Sequence, residues 1–396
     1  MPERNLDFDK IINRYKTRCL KYDFKTRRGL PEDVLPLWVA DMDFKTSSYI
    51  EDAVKSVAEH NIYGYINTQP GDGFFDAVAL WMKRHHDWDV EEKWHVKTPG
   101  VVFAISAAVR ALTKPGDAVL IQQPVYYPFA DVVRSNDRKL IVSDLVKRED
   151  GKFETDYEDF EKKITENDVK LFILCNPHNP VGRAWKREEL LKIGRICRDH
   201  KVFVFSDEIH FDFIWNGKHN VFQEQDESFK EFTITATSAS KTFNLAGLQQ
   251  SNIFIPDPSI KRRFISQIDA TGYDEPNICG IAATEAAYLH GEEWYLKMRS
   301  YVEEGIDRAV RYVNENIPGV KLVKPEGTYL IWLDFTGAGL YGNKLDDLII
   351  NKAGLWLDSG KMFGISGDGY QRLNAACPHS VLEEALVRIK NAMEKL

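Results

Sequence analysis

Hydrophobic positions along the middle of the chain fall into two alternating patterns. Short runs dominated by β-branched and other apolar residues, "AVLIQ" (118–122), "KLFILC" (170–175), "VFVFS" (202–206) and "TITAT" (233–237), read as buried strands. Longer stretches between them carry apolar residues at helical spacing. "KREELLKIGRICRDH" places apolar residues at 190, 191, 193 and 196 with charges between, and joins two of the runs as an amphipathic helix. Strand, helix, strand at this spacing predicts right-handed crossovers and a mostly parallel sheet covered on both faces.

From about residue 290 the rhythm changes. "EEWYLKMRSYVEEGIDRAVRYVNENI" predicts one long helix, followed by strand-like "KLVKPEGTYLIWLDF" and "QRLNAACP" and a C-terminal helix "SVLEEALVRIKNAMEKL". The expectation is a large α/β domain over 46–289 and a smaller α+β domain built from 1–45 and 290–396. No internal repeat or low-complexity linker separates them.

Composition changes this picture little. The 396 residues suffice for two packed cores, and 43% hydrophobic with 28% charged residues is an ordinary globular balance. A net charge of −8 argues against a nucleic-acid partner, and "KRR" at 261–263 reads as a solvated helix face. The five cysteines are scattered and never in C-x-x-C spacing, which suits a reducing cytoplasm and gives no disulfide framework or zinc ribbon. The charged N-terminus lacks the apolar core of a secretory signal, and no apolar run approaches the ~20 residues of a membrane span. His85 and His86, adjacent and without ligand spacing, read as surface histidines, and "GISGDGY" as a turn rather than a dinucleotide loop.

The chemistry gathers at one end of the predicted strands, where open parallel sheets bind ligands. Tyr126 and Tyr127 follow the first run, Asn176 and Asn179 the second, Asp207 the third and Lys241 the fourth. Singly, an Asn-Pro pair is a turn and a strand-closing Asp is a helix cap. Together they supply the needs of a pyridoxal 5'-phosphate (PLP) enzyme: an amine for a Schiff base, a carboxylate for the pyridine nitrogen, a ring to stack on, and donors for the oxygens. Glu208 faces away from Asp207 by strand alternation. The small residues of "TATSASK" allow Lys241 to be desolvated. The hydroxyls of Ser238 and Ser240 suit a phosphate, as does the N-terminus of the "GVVFAISAAVRAL" helix.

The order "QPVYYPF", "CNPHNPVGR", "SDEIHFD", "SASKTFNLAG", "PEGTYLIWLDF" and "RLNAACP" resembles fold-type I PLP enzymes of the aspartate aminotransferase superfamily. Those have a mostly parallel sheet of the seven-stranded type. The nearer likeness is to the carbon–sulfur lyase branch, the cystathionine β-lyase type called MalY/PatB, over nearly the whole chain. The resemblance implies Lys241 as Schiff-base lysine and proton shuttle, Asp207 on the pyridine nitrogen, Asn179 on the phenolic oxygen and near the substrate, and Tyr126 stacked on the ring. It further implies backbone N–H groups of Val101 and Val102 and hydroxyls of Ser238 and Ser240 on the phosphate, Arg372 on the substrate carboxylate, and Ala40 with Asp41 at the substrate mouth. Tyr65 is similar to a tyrosine that reaches the cofactor phosphate of a neighbouring subunit, which implies a homodimer with shared sites. Gln249 and His210 stand where aminotransferases commonly place arginine and tyrosine. Both departures resemble the lyase branch and favour β-elimination from a sulfur amino acid over amino transfer, while the presence of all the expected catalytic residues argues against a catalytically idle binding protein.

Overall fold

The computed structural model describes residues 2–67 and 70–396. All four expected strands form, as Ala118–Gln123, Val169–Cys175, Phe203–Asp207 and Thr233–Thr237. They pair in parallel within an eight-stranded sheet, in the order His95–Thr98, Ser251–Phe254, Thr233–Thr237, Phe203–Asp207, Val169–Cys175, Ala118–Gln123, Lys139–Lys147 and Phe153–Thr155. Ser251–Phe254 runs antiparallel to both its neighbours, and the short edge strand Phe153–Thr155 antiparallel to Lys139–Lys147. The sheet thus has one strand more than the type anticipated.

The central strands are buried because helices cover both faces. One face packs Val119, Ile121, Phe205 and Ile234 against the helices Val101–Leu112 and Pro258–Asp269. The other packs Leu120, Phe172 and Val204 against Tyr157–Asn167 and Arg187–Asp199. The amphipathic helix expected from its spacing starts at Arg187, where the Glu189 carboxylate accepts the Lys186 N–H at 2.8 Å and stops that amide being wasted.

The last hundred residues form the long helix Glu292–Asn316, a small antiparallel sheet of Leu330–Asp334, Tyr370–Asn374 and Asp358–Ser359, and the C-terminal helix His379–Met393. The N-terminal segment joins them through Leu35–Pro36, which pairs in parallel with Leu355–Trp356. One expectation is corrected: of "KLVKPEGTYLIWLDF" only Leu330–Asp334 is strand, with Lys321 in an isolated bridge to Asp334. Glu326 and Gly327 donate their N–H groups to Gly182 O at 2.7 and 3.0 Å, while Glu326 O accepts from Trp215 N at 3.0 Å. That backbone is spent on tying loops together. Gly182 is obligatory at this junction, because its φ of +72° is left-handed and a Cβ there would stand 2.5 Å from Pro325 Cβ.

His85 and His86 are not surface residues. His86 Nε2 lies 2.8 Å from Asp212 Oδ1 with side chains 4% and 0% exposed. The same carboxylate accepts from Trp81 Nε1 at 3.2 Å and from Thr242 Oγ1. The two partners are far apart in sequence, so local spacing carried no sign of the pair. No group of histidine, cysteine and acidic residues among the described residues could hold a metal, and all five cysteines are free. No helix among them is long and apolar enough to cross a membrane.

Candidate active site

The carboxyl ends of the parallel strands open onto a cavity of about 290 Å³. Lys241 reaches it from the short helix Ala239–Thr242 that follows Thr233–Thr237, and Asp207 from the last position of Phe203–Asp207. Tyr126 and Asn179 line it from the loops after Ala118–Gln123 and Val169–Cys175, held together by a 3.1 Å bond from Tyr126 N to Asn179 O. Arg372 enters from the small sheet, where it lies opposite Asp358. Ala40, Val101, Val102, Ser240 and His210 complete the sequence-derived set on the same wall.

Burial sets the charge states. Asp207 is 5% exposed, and burial pushes its carboxyl up to about 7, opposed by the Ile209 N–H at 3.1 Å and by the Lys241 charge. Burial likewise lowers the Lys241 ammonium to about 8, with the Asp41 charge opposing. Lys241 Nζ donates to Ala40 O at 2.8 Å, and the Tyr329 hydroxyl donates to the same oxygen at 3.0 Å. His210, buried and close to the Lys241 and Arg372 charges, sits well below the usual imidazole range and is neutral, with its Nδ1 unpartnered among the described residues. Glu208 turns to the opposite side as alternation requires: its carboxylate meets His219 Nε2 at 2.6 Å and Ser206 Oγ at 2.7 Å.

The Arg372 guanidinium is held on several sides. Its Nη1 donates to Asn179 Oδ1 at 2.9 Å, its Nη2 to Trp38 O at 2.9 Å and to Asp358, and Phe363 lies under the guanidinium at 4.8 Å. These contacts fix the planar fork before a ligand arrives, and the buried Nε has no partner among the described residues. Trp38, Asp358 and Tyr329 were missed by sequence reasoning because only tertiary contacts bring them here.

Three residues of the sequence-derived set do not line this cavity: Asp41, which pairs with Arg14 at 2.6 Å, Ser238, and Tyr65, expected at a neighbouring subunit's site. Ser238 is fully buried behind the wall; its Oγ donates to Gln250 O at 2.6 Å and accepts from Ser240 N at 3.0 Å, so it caps the lysine-bearing helix. Tyr65 is 95% exposed and does not line this chain's cavity.

The cavity wall fits PLP. At one end the helix Val101–Leu112 begins at Gly100 with no side-chain cap, leaving its first N–H groups for an anion, beside Ser240 and Gln249. A Cβ at Gly100 would meet nothing within 4 Å, so that end is open space. Elsewhere on the wall are a buried acid able to pair with a ring nitrogen, an aromatic face and a desolvated amine.

This architecture and site belong to one family. The chain is a member of the aminotransferase class I and II family, whose pattern matches residues 32–389. Within it, the chain is 41% identical over 389 residues to cystathionine beta-lyase PatB of Bacillus subtilis, covering 98% of this chain and 100% of that protein. It is 30% identical to protein MalY of Escherichia coli, over 98% of each. Cystalysin of Treponema denticola, whose crystal structure contains pyridoxal 5'-phosphate, superimposes with a TM-score of 0.93 at 37% identity, over 98% of this chain and 99% of that one. The PLP-bound C-S lyase of Staphylococcus hominis does so with a TM-score of 0.90 at 30% identity, over 98% of each chain.

Proposed function

We propose that the chain is a PLP-dependent carbon–sulfur β-lyase that releases thiol, pyruvate and ammonia from a cystathionine-like thioether of cysteine. The observation that carries this reading is the pairing, on one cavity wall, of an amine lowered to about 8 with a buried carboxyl raised to about 7. When bound, PLP supplies an electron sink for the pair left at the substrate Cα.

The chain supplies the rest. Arg372, with Asn179 beside it, binds the substrate α-carboxylate and turns the Cα–H bond toward Lys241, an orientation effect. Neutral Lys241 Nζ takes the Cα proton, and the proton it then carries is available to the departing sulfur. Asp207, as carboxylate, would keep a proton on the ring nitrogen of bound PLP, and Tyr126 would pack on its ring. Val101 and Val102 N–H groups and the Ser240 hydroxyl would hold its phosphate. Ser238 serves that seat by positioning Ser240. Neutral His210 takes the place where a tyrosine would otherwise approach the phenolic oxygen.

The working unit is a homodimer with shared sites in the cytoplasm. Tyr65 sits in an exposed stretch with Ile62 and Tyr63, 95%, 66% and 62% exposed, an apolar surface suited to a second copy. The test is to incubate the purified protein with L-cystathionine and no keto acid, following thiol and pyruvate. Release of both supports the lyase reading; amino transfer that requires a keto acid, with no thiol, overturns it.

A further inference from the structure

Beside the active site lies a second cavity of about 230 Å³. Trp38 and Asp358 line both, so the two spaces adjoin at these side chains. Leu30, Ile349, Ile350 and Met362 give the second cavity's lining an apolar part. Trp38 and Trp356, both buried, line it as a stacked pair with ring centroids 4.4 Å apart and planes 16° from parallel. Over this stack lies the Arg28 guanidinium, its Cζ 4.6 Å from the Trp38 ring centroid and 5.4 Å from that of Trp356.

Arg28 is exposed, yet its guanidinium makes no hydrogen bond or ion pair with any described residue. The acids nearby are already engaged: Asp358 binds Arg372, and Asp346 lies 3.0 Å from Lys361 Nζ and accepts from Gln371 Nε2 at 3.0 Å. Burial raises the Asp358 carboxyl and the Tyr127 phenol, and the Arg28 charge opposes both shifts, which places that charge within reach of the active-site wall. A preoriented cation whose donors are free, over an apolar slot next to the site, is suited to an anionic group at the end of a short carbon chain.

We propose that Arg28 determines specificity by binding a carboxylate on the sulfur substituent, so that the enzyme prefers cysteine thioethers whose leaving thiol is acidic in this sense. Arg372 takes the α-carboxylate, the apolar slot takes the methylene chain, and Arg28 takes the far carboxylate. This assignment rests on the β-elimination reading above and adds the class of thiol released.

The experiment uses a matched pair, S-(2-carboxyethyl)-L-cysteine and S-propyl-L-cysteine, which differ at the chain end in a carboxylate against a methyl. On the holoenzyme, Arg28→Gln is expected to lower kcat/KM for the carboxylate substrate about tenfold, chiefly through KM, and to leave S-propyl-L-cysteine within about twofold. The wild-type preference for the carboxylate substrate is expected to shrink as salt is raised from 0.05 to 0.5 M, in line with screening of an exposed cation. Equal losses on both substrates, or no loss on either, overturn the assignment while leaving β-elimination intact. A wild-type enzyme that releases thiol from L-cystathionine but from neither of these substrates overturns the assignment alone, and one that releases thiol from none of the three sinks the elimination reading and this assignment with it.

Discussion

Lys241 Nζ and the Ala40 carbonyl oxygen stand 2.8 Å apart, and that bond joins residues 201 positions apart in the chain. The acceptor is uncharged, so it orients the amine without fixing a positive charge on it. Burial then keeps the ammonium near 8. In the proposed mechanism Lys241→Ala removes both the covalent anchor and the Cα base. Turnover is expected to fall by at least about a thousandfold. The visible absorbance band that borohydride bleaches in the wild type should be missing from the variant, and a variant that kept this band would refute the lysine assignment.

Asp207 and Lys241 make the stability of the cofactor-free protein depend on pH. The Asp207 carboxyl is raised in the fold from 3.8 to about 7, so the folded state holds the extra proton between those values and stability falls as pH rises through that window. Lys241 is lowered from 10.5 to about 8, so the unfolded state holds the extra proton there and stability climbs again as pH rises above 8. Asp207→Asn is expected to flatten the acid limb and to stabilise the cofactor-free protein by roughly 4 kcal/mol at pH 8 while abolishing turnover. Urea titrations at pH 5 and pH 8 check this. Equal pH sensitivity in wild type and variant would count against it.

Arg372→Lys keeps the charge but loses the planar fork held by Asn179, Trp38 and Asp358. KM is expected to rise more than about tenfold with folding preserved, since bidentate recognition is what a lysine cannot supply. Arg372→Ala leaves Asp358 buried without its cation and is expected to cost about 3 kcal/mol or more of stability besides. Steady-state kinetics and denaturant midpoints separate the two effects.

The proposal of shared sites makes a sharper prediction than dimerisation alone. Lys241→Ala and Tyr65→Ala subunits are each expected to be inactive or weak. When they are mixed and allowed to exchange, the heterodimer regains one site, with its lysine from one subunit and its tyrosine from the other. Activity above the sum of the parents is the expected result; none would mean that Tyr65 serves no neighbour.

The Asp212 cluster is structural, and its loss should show as such. Its carboxylate holds Trp81, His86 and, next to Lys241, Thr242. Asp212→Ala is expected to cost about 3 to 5 kcal/mol, read as a lowered melting temperature in calorimetry.

The sheet and the two polar ends that matter most were legible in the sequence because each is a local signal. Thr233–Thr237 and Val169–Cys175 are uninterrupted buried runs, and the residue that closes or follows each strand is necessarily at the ligand-binding end. Ser238 shows the limit: its residue type and position suit a phosphate, but its hydroxyl is consumed by the Gln250 carbonyl, a contact across a turn. His86 with Asp212, and Trp38 with Trp356, were illegible for a related reason. Each pair is made by packing between distant segments, and neither member looks unusual beside its own neighbours.

Trp38 O and the Arg372 guanidinium are 334 residues apart in the chain, and the strand pairing of Leu35–Pro36 with Leu355–Trp356 brings their segments together. A ribosome must therefore translate through Arg372 before the bond between them can form, and chains that stop short of it carry Lys241 without the guanidinium that lines the same cavity.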